Sequence, residues 1–408
     1  MKAAPGRKQK ITLADIAHVG PGTAAGEWFR RYWLVVGVAG ELYDIPHAVR
    51  VLGEDLVLFR DDQGQLGLLG LHCPHRGSSL EYGDIEDGGI RCPYHGWLFN
   101  IRGQCLEMPA EPSDSQFPQK VKHLSYPVRE LGGLVFAYMG PERENPPPLP
   151  KYSPLIDRGG QRQIESVRQC NYNWFNFFEN SADPAHICIL HRHAGYGDQT
   201  WGNHFFSYRE MPKFDFVEMD YGMKVVMTKP GPAADLEFAD EMSLALPSVI
   251  QVGDTEFVHA KLDAAKLMSE GSHCEHTLFL TPNDDSNFMI FTVDYYTGPD
   301  ADFFANLKQM RARELPKQEV REYDRRPMMP YKGNIRQEDL ITQSTQGFIG
   351  GRHEQLGVSD RGVIKFRKIV LEAIETALAG GVPKGALMRH TERELMKLDS
   401  FAGVRPKQ

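Results

Sequence analysis

Between Val51 and Leu69 the apolar residues Leu56, Val57, Leu58 and Phe59 run unbroken into the polar turn Asp61-Asp62-Gln63-Gly64, and Leu66, Leu68 and Leu69 follow. Two apolar runs joined by a glycine-bearing turn predict a β-hairpin. Short β-like runs punctuated by glycines continue to Tyr138, the texture of a small all-β domain. Pro146-Pro147-Pro148 with Pro150 then interrupts regular structure and marks a boundary. Beyond it, Val249–Val252, His276–Leu280 and Phe288–Tyr296 are rich in β-branched and aromatic residues and predict strands of one sheet. Near the end, Val363, Phe366, Val370, Ile374 and Leu378 recur at steps of three or four between Ser359 and Gly380-Gly381. That spacing predicts an amphipathic helix with Ser359 as N-cap and a glycine stop, packed across the sheet. The fold class expected is α+β, with a small all-β domain of roughly 100 residues ending at the proline cluster and a mixed α and β domain beyond it.

Of 408 residues, 46 are Lys or Arg and 54 Asp or Glu, a net charge of −8. This mild negative balance provides no broad basic surface for nucleic acid. No run approaches the roughly 18 apolar residues of a membrane helix. The basic start Met1–Lys10 is followed by no apolar signal core, so a soluble cytoplasmic protein is expected. Cys73, Cys92, Cys105, Cys170, Cys188 and Cys274 are scattered, which in this setting predicts reduced thiols.

Two of these cysteines stand beside histidines. Cys73-Pro74-His75-Arg76-Gly77 is followed, after sixteen residues between His75 and Cys92, by Cys92-Pro93-Tyr94-His95-Gly96-Trp97. Each arm thus offers one thiolate and one imidazole. A tetrahedral zinc site uses the same residues, but zinc fingers usually group Cys with Cys and His with His. The mixed arms suit a two-iron cluster with Cys73 and Cys92 on one iron and His75 and His95 on the other, the ligand set of a Rieske centre. Neutral imidazoles remove negative charge and raise the cluster's potential well above the roughly −400 mV of an all-cysteine plant ferredoxin. Gly77 and Gly96 are expected to bring backbone amides close to the cluster sulfurs.

A second constellation runs from Asn173-Trp174 through Glu179-Asn180 and Asp183-Pro184-Ala185-His186 to His191. Asp183 before Pro184 reads as an N-cap and first helical residue. His186 and His191 are five apart, about 140° round an ideal helix, so both reach one metal only if the helix ends or bulges between them. Two histidines with a distant carboxylate fit the facial triad of non-haem Fe(II) oxygenases.

Together these motifs, in this order, resemble the terminal oxygenase component of a Rieske non-haem iron oxygenase. The similarity runs from about Gly20 to Ala379 and is nearest to the phthalate-dioxygenase-like subgroup of α subunits. Gly20-Pro21-Gly22-Thr23, Arg30-Arg31-Tyr32-Trp33, and the late block Gln346-Gly347, Arg352, Glu354-x-Leu356-Gly357, Ser359-Asp360-Arg361 support that placement. The resemblance implies an all-β Rieske domain over 40–145 and a helix-grip-type catalytic domain over 1–39 and 146–408, its antiparallel sheet covered by helices. It implies one 2Fe-2S cluster and one Fe(II) per chain, the iron held by His186, His191 and Asp339, with Glu338 the rival for the third place and Asn180 nearby without binding strongly. It further implies head-to-tail homotrimers or stacked trimers. There the Asp183 carboxylate bridges His186 and a cluster histidine, His95 of the neighbouring subunit.

The resemblance implies electrons from NAD(P)H supplied through a flavin and iron-sulfur reductase, with or without a ferredoxin; no Gly-x-Gly-x-x-Gly fingerprint following a strand is evident here, so that reductase is expected to be another chain. The subgroup's chemistry implies dioxygen and a small aromatic substrate, an aromatic acid or aryl ether, undergoing ring dihydroxylation or, alternatively, O-demethylation. Lys224, with Lys229, is a candidate partner for a substrate carboxylate. The pocket lining is placed between Trp201 and Asp300. Two rivals of other classes are a ferredoxin-like electron carrier and a zinc-stabilised binding protein.

Overall fold

In the computed structural model of the chain, which describes residues 10–43, 45–193, 210–253, 273–299, 301, 335–387 and 395–407, the predicted hairpin pairs Glu54–Arg60 with Leu66–Gly70. Asp61 closes its turn by accepting from the amides of Gln63 at 3.0 Å and Gln65 at 2.7 Å, and Gly64 adopts a φ of +80°. The apolar run is unbroken because the strand is buried on both faces. Leu56, Leu58 and Leu68 enter the large core shared with the catalytic half, whereas Val57, Phe59 and Leu69 enter a separate core with Cys73, Cys92 and Trp97.

The hairpin extends to a four-stranded sheet with His47–Val51 and Ser125–Tyr126, and a second four-stranded sheet is built from Asp84–Glu86, Gly89–Arg91, Leu98–Asn100 and Cys105–Glu107. A third sheet pairs Trp33–Val38 with Leu134–Tyr138 and Val128–Leu131. The expected boundary at 40 therefore separates Trp33–Val38 from the strand that completes its hydrogen bonds. This sheet presents Trp33, Val35, Phe136 and Tyr138 to Phe279 and Phe291 of the catalytic sheet. The proline segment is irregular, and the Pro147 carbonyl accepts from the Trp33 indole at 3.0 Å.

The second half of the chain is built on an eight-stranded sheet. Its spatial order is Gln161–Cys170, Phe288–Thr297, His273–Pro282, Val249–Gly253, Leu236–Ala245, Gly222–Pro230 and Lys213–Glu218, with Phe401–Pro406 also on Leu236–Ala245. All of these pairings are antiparallel. The three strands expected from composition are consecutive in it. Four helices carry or brace the second set of candidate ligands: α1 (Trp174–Asn180), α2 (Pro184–Leu190), α3 (Ile335–Thr345) and α4 (Arg361–Leu378). On α4, Phe366, Val370 and Ile374 are fully buried, and Phe366 meets Phe175 and Phe178 of α1 at centroid distances of 6.3 and 4.9 Å. A Cβ on Gly362 would stand 2.2 Å from Phe216 and 2.4 Å from the Ala182 carbonyl, so only glycine lets α4 lie this close to the sheet and to the α1–α2 turn.

Two details of α4 differ from expectation. Its N-cap is Asp360, because Ser359 lies inside a preceding 3₁₀ turn, Val358–Asp360, closed by the Asp360 carboxylate accepting from the Gly357 amide at 2.6 Å. Leu378 is exposed: twelve residues after Phe366, it has turned about 120° away from that side chain, and Ala373 and Ala377 complete the buried stripe instead. The glycine stop takes Schellman form, with Gly380 at φ +79° and the Gly381 amide donating to the Thr376 carbonyl at 2.9 Å.

Candidate metal centres

The two Cys/His arms fold alike. Gly77 donates to the Cys73 carbonyl and Gly96 to the Cys92 carbonyl, at 2.9 and 3.0 Å, while Cys73 and Cys92 donate in turn to the carbonyls of Ser78 and Trp97. Gly77 and Gly96 take φ values of +79° and +73°. Their amides are thus committed to the cysteine carbonyls, so the glycines supply the left-handed turn rather than the expected amides aimed at sulfur.

This repeat brings the four side chains together. The Cys73 and Cys92 thiols are buried within hydrogen-bonding reach of each other, and burial, with Cys92 adding to it, pushes the Cys73 thiol up to about 12. The His75 and His95 rings lie 4.5 Å apart at 66°, and His75 stacks on Trp97 at 4.5 Å. His95 Nδ1 is buried with no hydrogen-bond partner. Adjacent buried thiols resist ionisation unless a cation compensates them, and an orphaned imidazole nitrogen beside them is the ligand such a cation uses. The donor set therefore fits a metal cluster. Cys105, Cys170, Cys188 and Cys274 are buried.

The second site lies across α1, α2 and α3. Asn173 caps α1 by accepting from the Phe175 amide at 3.0 Å, and Asp183 caps α2 by accepting from Ala185 at 3.1 Å, with Pro184 at the first helical position where its missing N–H costs nothing. Helix α2 ends at Leu190, and His191 passes into a 3₁₀ turn, which brings the two histidine rings to 5.3 Å. The termination required by the five-residue spacing is present.

His186 Nδ1 meets the main-chain carbonyl of Asp183, and His191 Nδ1 lies 2.9 Å from Glu338 Oε2. Both partners are acceptors, so both Nδ1 atoms carry the proton and both Nε2 atoms present lone pairs. These lone pairs converge on Asp339 Oδ1, at 3.9 Å from His186 and 3.5 Å from His191. The three ligand atoms lie within 4.8 Å of one another. Asn180 Nδ2 is 3.2 Å from His186 Nε2 and donates to Asp339 Oδ1 at 3.4 Å. Three electron-rich atoms converging in a half-buried site fit a cation, in the two-histidine, one-carboxylate arrangement of non-haem Fe(II). Burial holds the His186 imidazole below the usual histidine range. Burial acts the same way on His191, but the hydrogen bonds and charges of Asp339 and Glu338 outweigh it and raise that residue.

Three expectations change here. Glu338 does not share the third ligand position: it occupies the far nitrogen of His191. The Asp183 carboxylate does not bond His186: it caps α2, and the residue's own carbonyl takes the imidazole. Lys224 reaches Glu241 at 3.1 Å, and Glu241 also accepts from Arg405. The Lys224 ammonium thus has its own carboxylate partner and is not among the residues lining the cavity beside His186. Trp201 and Asp300, the ends assigned to the pocket lining, lie outside the described residues.

Sequence reasoning missed what holds these helices in place. Tyr172 donates to Gln343 Oε1 at 2.8 Å and Asn176 to the Gln343 carbonyl at 3.0 Å, tying α1 to α3. Buried Glu179 accepts from Arg352 at 2.5 Å and Arg367 at 2.8 Å, and Arg367 also grips Glu354 at 2.6 and 2.8 Å, tying α1 to α4. The only sequence signal was the presence of Glu179, Arg352 and Glu354 in the motifs that carry the resemblance. Asn180, Asp183, His186, Glu338, Thr342 and Asp360 line a cavity of about 460 Å³.

Residues 32–125 match the Rieske [2Fe-2S] domain model. The chain is 32% identical over 388 residues to the 5,5'-dehydrodivanillate O-demethylase oxygenase subunit of Sphingobium sp., covering 91% of this chain and 82% of that one. It belongs to the Rieske non-haem iron oxygenases, as a terminal oxygenase subunit. The oxygenase subunit is also 41% identical over 222 residues to the phenoxybenzoate dioxygenase subunit alpha of Ectopseudomonas oleovorans, covering 51% of this chain and about half, 53%, of that relative's length. Among solved structures, Pseudomonas putida CBB5 NdmA with caffeine superposes with a TM-score of 0.64 at 19% identity, over 88% of this chain and 94% of that one, a likeness of fold alone.

Proposed function

We propose that this terminal oxygenase uses dioxygen and reductase-supplied electrons to dihydroxylate the ring of an aromatic carboxylic acid or aryl ether. The observation that carries the reading is the presence of two distinct metal-ligand sets in one chain, Cys73/His75/Cys92/His95 and His186/His191/Asp339. The first set would hold a 2Fe-2S cluster and the second Fe(II), and these groups supply electron storage and dioxygen activation when bound. O-demethylation of a methoxylated aromatic is the second reading, favoured by the relative matched over most of both chains, which is named an O-demethylase.

The residues themselves do the positioning. His75 is exposed at the molecular surface, where an electron carrier can approach it, while Cys73 and Cys92 are buried beneath. His186 and His191 are held with their Nε2 lone pairs turned to one point. NAD(P)H is proposed to act through a separate flavin and iron-sulfur reductase, and the site of action to be cytoplasmic. No helix among the described residues is long and apolar enough to cross a membrane. Head-to-tail trimers, or stacked trimers, are supported by exposed apolar residues at both ends of such a contact: Tyr82, Tyr94 and Phe117 about the cluster arms, and Ile189, Leu356 and Val358 about Asp183.

In that assembly Asp183, which lines the cavity beside His186, accepts from His95 of the neighbouring subunit. Asparagine is as good an N-cap as aspartate, so Asp183→Asn leaves α2, and hence His186, in place. The expected result is a variant with full iron content and an intact cluster spectrum whose cluster reoxidises far more slowly under single-turnover conditions. Wild-type reoxidation in that variant removes the role.

The function is tested by a single turnover: protein reduced anaerobically, then mixed with labelled dioxygen and a pool of aromatic acids and methoxylated aryl compounds. A product carrying two labelled oxygens establishes dihydroxylation, and release of formaldehyde establishes demethylation. No product from protein holding both iron centres rejects the substrate class and keeps the oxygenase. Zinc in place of iron rejects the oxygenase.

A further inference from the structure

We infer that Glu338 is the positioning residue of this iron site, fixing the orientation and donor strength of His191. The inference rests on the reading of His186, His191 and Asp339 as iron ligands and extends it to a residue that binds no metal.

The His191 imidazole is contacted at both nitrogens by consecutive residues of one helix: Nδ1 lies 2.9 Å from Glu338 Oε2 and Nε2 lies 3.5 Å from Asp339 Oδ1. Glu338 is 1% exposed and His191 3% exposed, so water does not compete for that hydrogen bond. A neutral imidazole binds metal through one nitrogen only, and the proton on the other settles which. A carboxylate at Nδ1 accepts that proton's hydrogen bond, directs the Nε2 lone pair to Asp339, and makes the ring a stronger donor than a neutral acceptor would.

The other histidine supplies the contrast within the same site. His186 Nδ1 is held by a main-chain carbonyl, so its hydrogen-bond acceptor is a neutral group and not a carboxylate. Of the two imidazoles, His191 is therefore the stronger donor. Helix α3 can deliver both carboxylates because it is itself held at Gln343 by Tyr172 and Asn176. Thr342 Oγ1 lies 3.0 Å from the Glu338 carbonyl and 3.1 Å from that of Asp339, within the same turn.

The test uses the full-length chain with its cluster intact and oxidised, after anaerobic chelation of the mononuclear iron. Co(II) is titrated into wild type, Glu338→Gln, Glu338→Ala and Asp339→Asn, with affinity read by calorimetry and the ligand field by electron paramagnetic resonance of the bound Co(II). Glutamine preserves size and an acceptor oxygen but removes the charge, so Glu338→Gln is expected to bind Co(II) about tenfold more weakly, and Glu338→Ala up to about 100-fold more weakly, both with altered spectra. Wild-type affinity and spectrum in Glu338→Gln overturn the inference. Equal losses in Glu338→Gln and Glu338→Ala with an unchanged spectrum also overturn it, since packing alone would produce them. Wild-type protein that binds no Co(II), or binds it no better than Asp339→Asn, overturns the iron-site reading beneath it instead.

Discussion

Replacing Asp339 by asparagine is expected to reduce iron from three atoms per chain to the two of the cluster, and turnover to below detection. Among the described residues, Asp339 Oδ1 is the carboxylate oxygen facing both His186 and His191, and it is the anionic member of the triad. An amide of the same shape keeps the packing and removes the charge that offsets a divalent cation's desolvation in a half-buried site. Because the cluster arms belong to a different core, the visible spectrum of the Rieske centre should be unchanged. Iron analysis together with that spectrum checks the prediction. Three irons per chain in Asp339→Asn would return the third ligand position to another residue.

The largest expected effect on stability lies in the ion network behind α1. Arg367 bonds both Glu179 and Glu354, and side-chain exposures of 7% for Arg367 and 6% for Glu179 make theirs a buried pair. Arg367→Met removes one partner and leaves Glu179 with Arg352 alone, a loss expected to cost about 3–5 kcal/mol. Adding Glu179→Gln to Arg367→Met should recover part of it, because two carboxylates then no longer share the single guanidinium of Arg352 and the network is left with Arg352 against Glu354. The check is the shift in urea midpoint for both single variants and the double variant. A cost in Arg367→Met below about 1 kcal/mol, the level of an exposed pair, would show that the network is not a stabilising tie.

The same network carries a pH dependence. Hydrogen bonding to Arg367 holds the folded Glu354 carboxyl below its ordinary value of 4.5. A carboxyl with a lowered folded pKa contributes stability that is fully present above its unfolded value and is lost as pH falls through the folded one. Wild type should therefore lose stability below about pH 4.5 more steeply than Arg367→Met, which lacks the pairing.

The parts legible in the sequence were those whose physics is local. Cys73-x-His75 and Cys92-x-x-His95 each place two candidate ligands within one turn of chain, so the spacing restricts the chemistry before any fold is known. Asp61 and Gly64 specify a turn through the side chain's own backbone contacts, and Asp183-Pro184 specifies a helix start. The unbroken run Leu56–Phe59 was legible as a strand but not as a shared wall. That two cores claim its alternate residues depends on neighbours far along the chain.

What depended on distant contacts was not legible. Adjacent Glu338 and Asp339 are equivalent as carboxylates, and only the position of α3 against His191, 147 residues earlier, assigns one to each nitrogen. Arg352 and Glu179 stand 173 positions apart, and nothing in either neighbourhood names the other. Lys224 looked available until the strand register placed Glu241 within reach. The sequence by itself determined the ligand types, their grouping into two sets and the class of metal each set suits, because those depend on donor chemistry and short spacing. Tertiary structure alone decided which oxygen and which nitrogen face the candidate metal position and what braces them, because burial and hydrogen-bond direction exist only once the helices are packed.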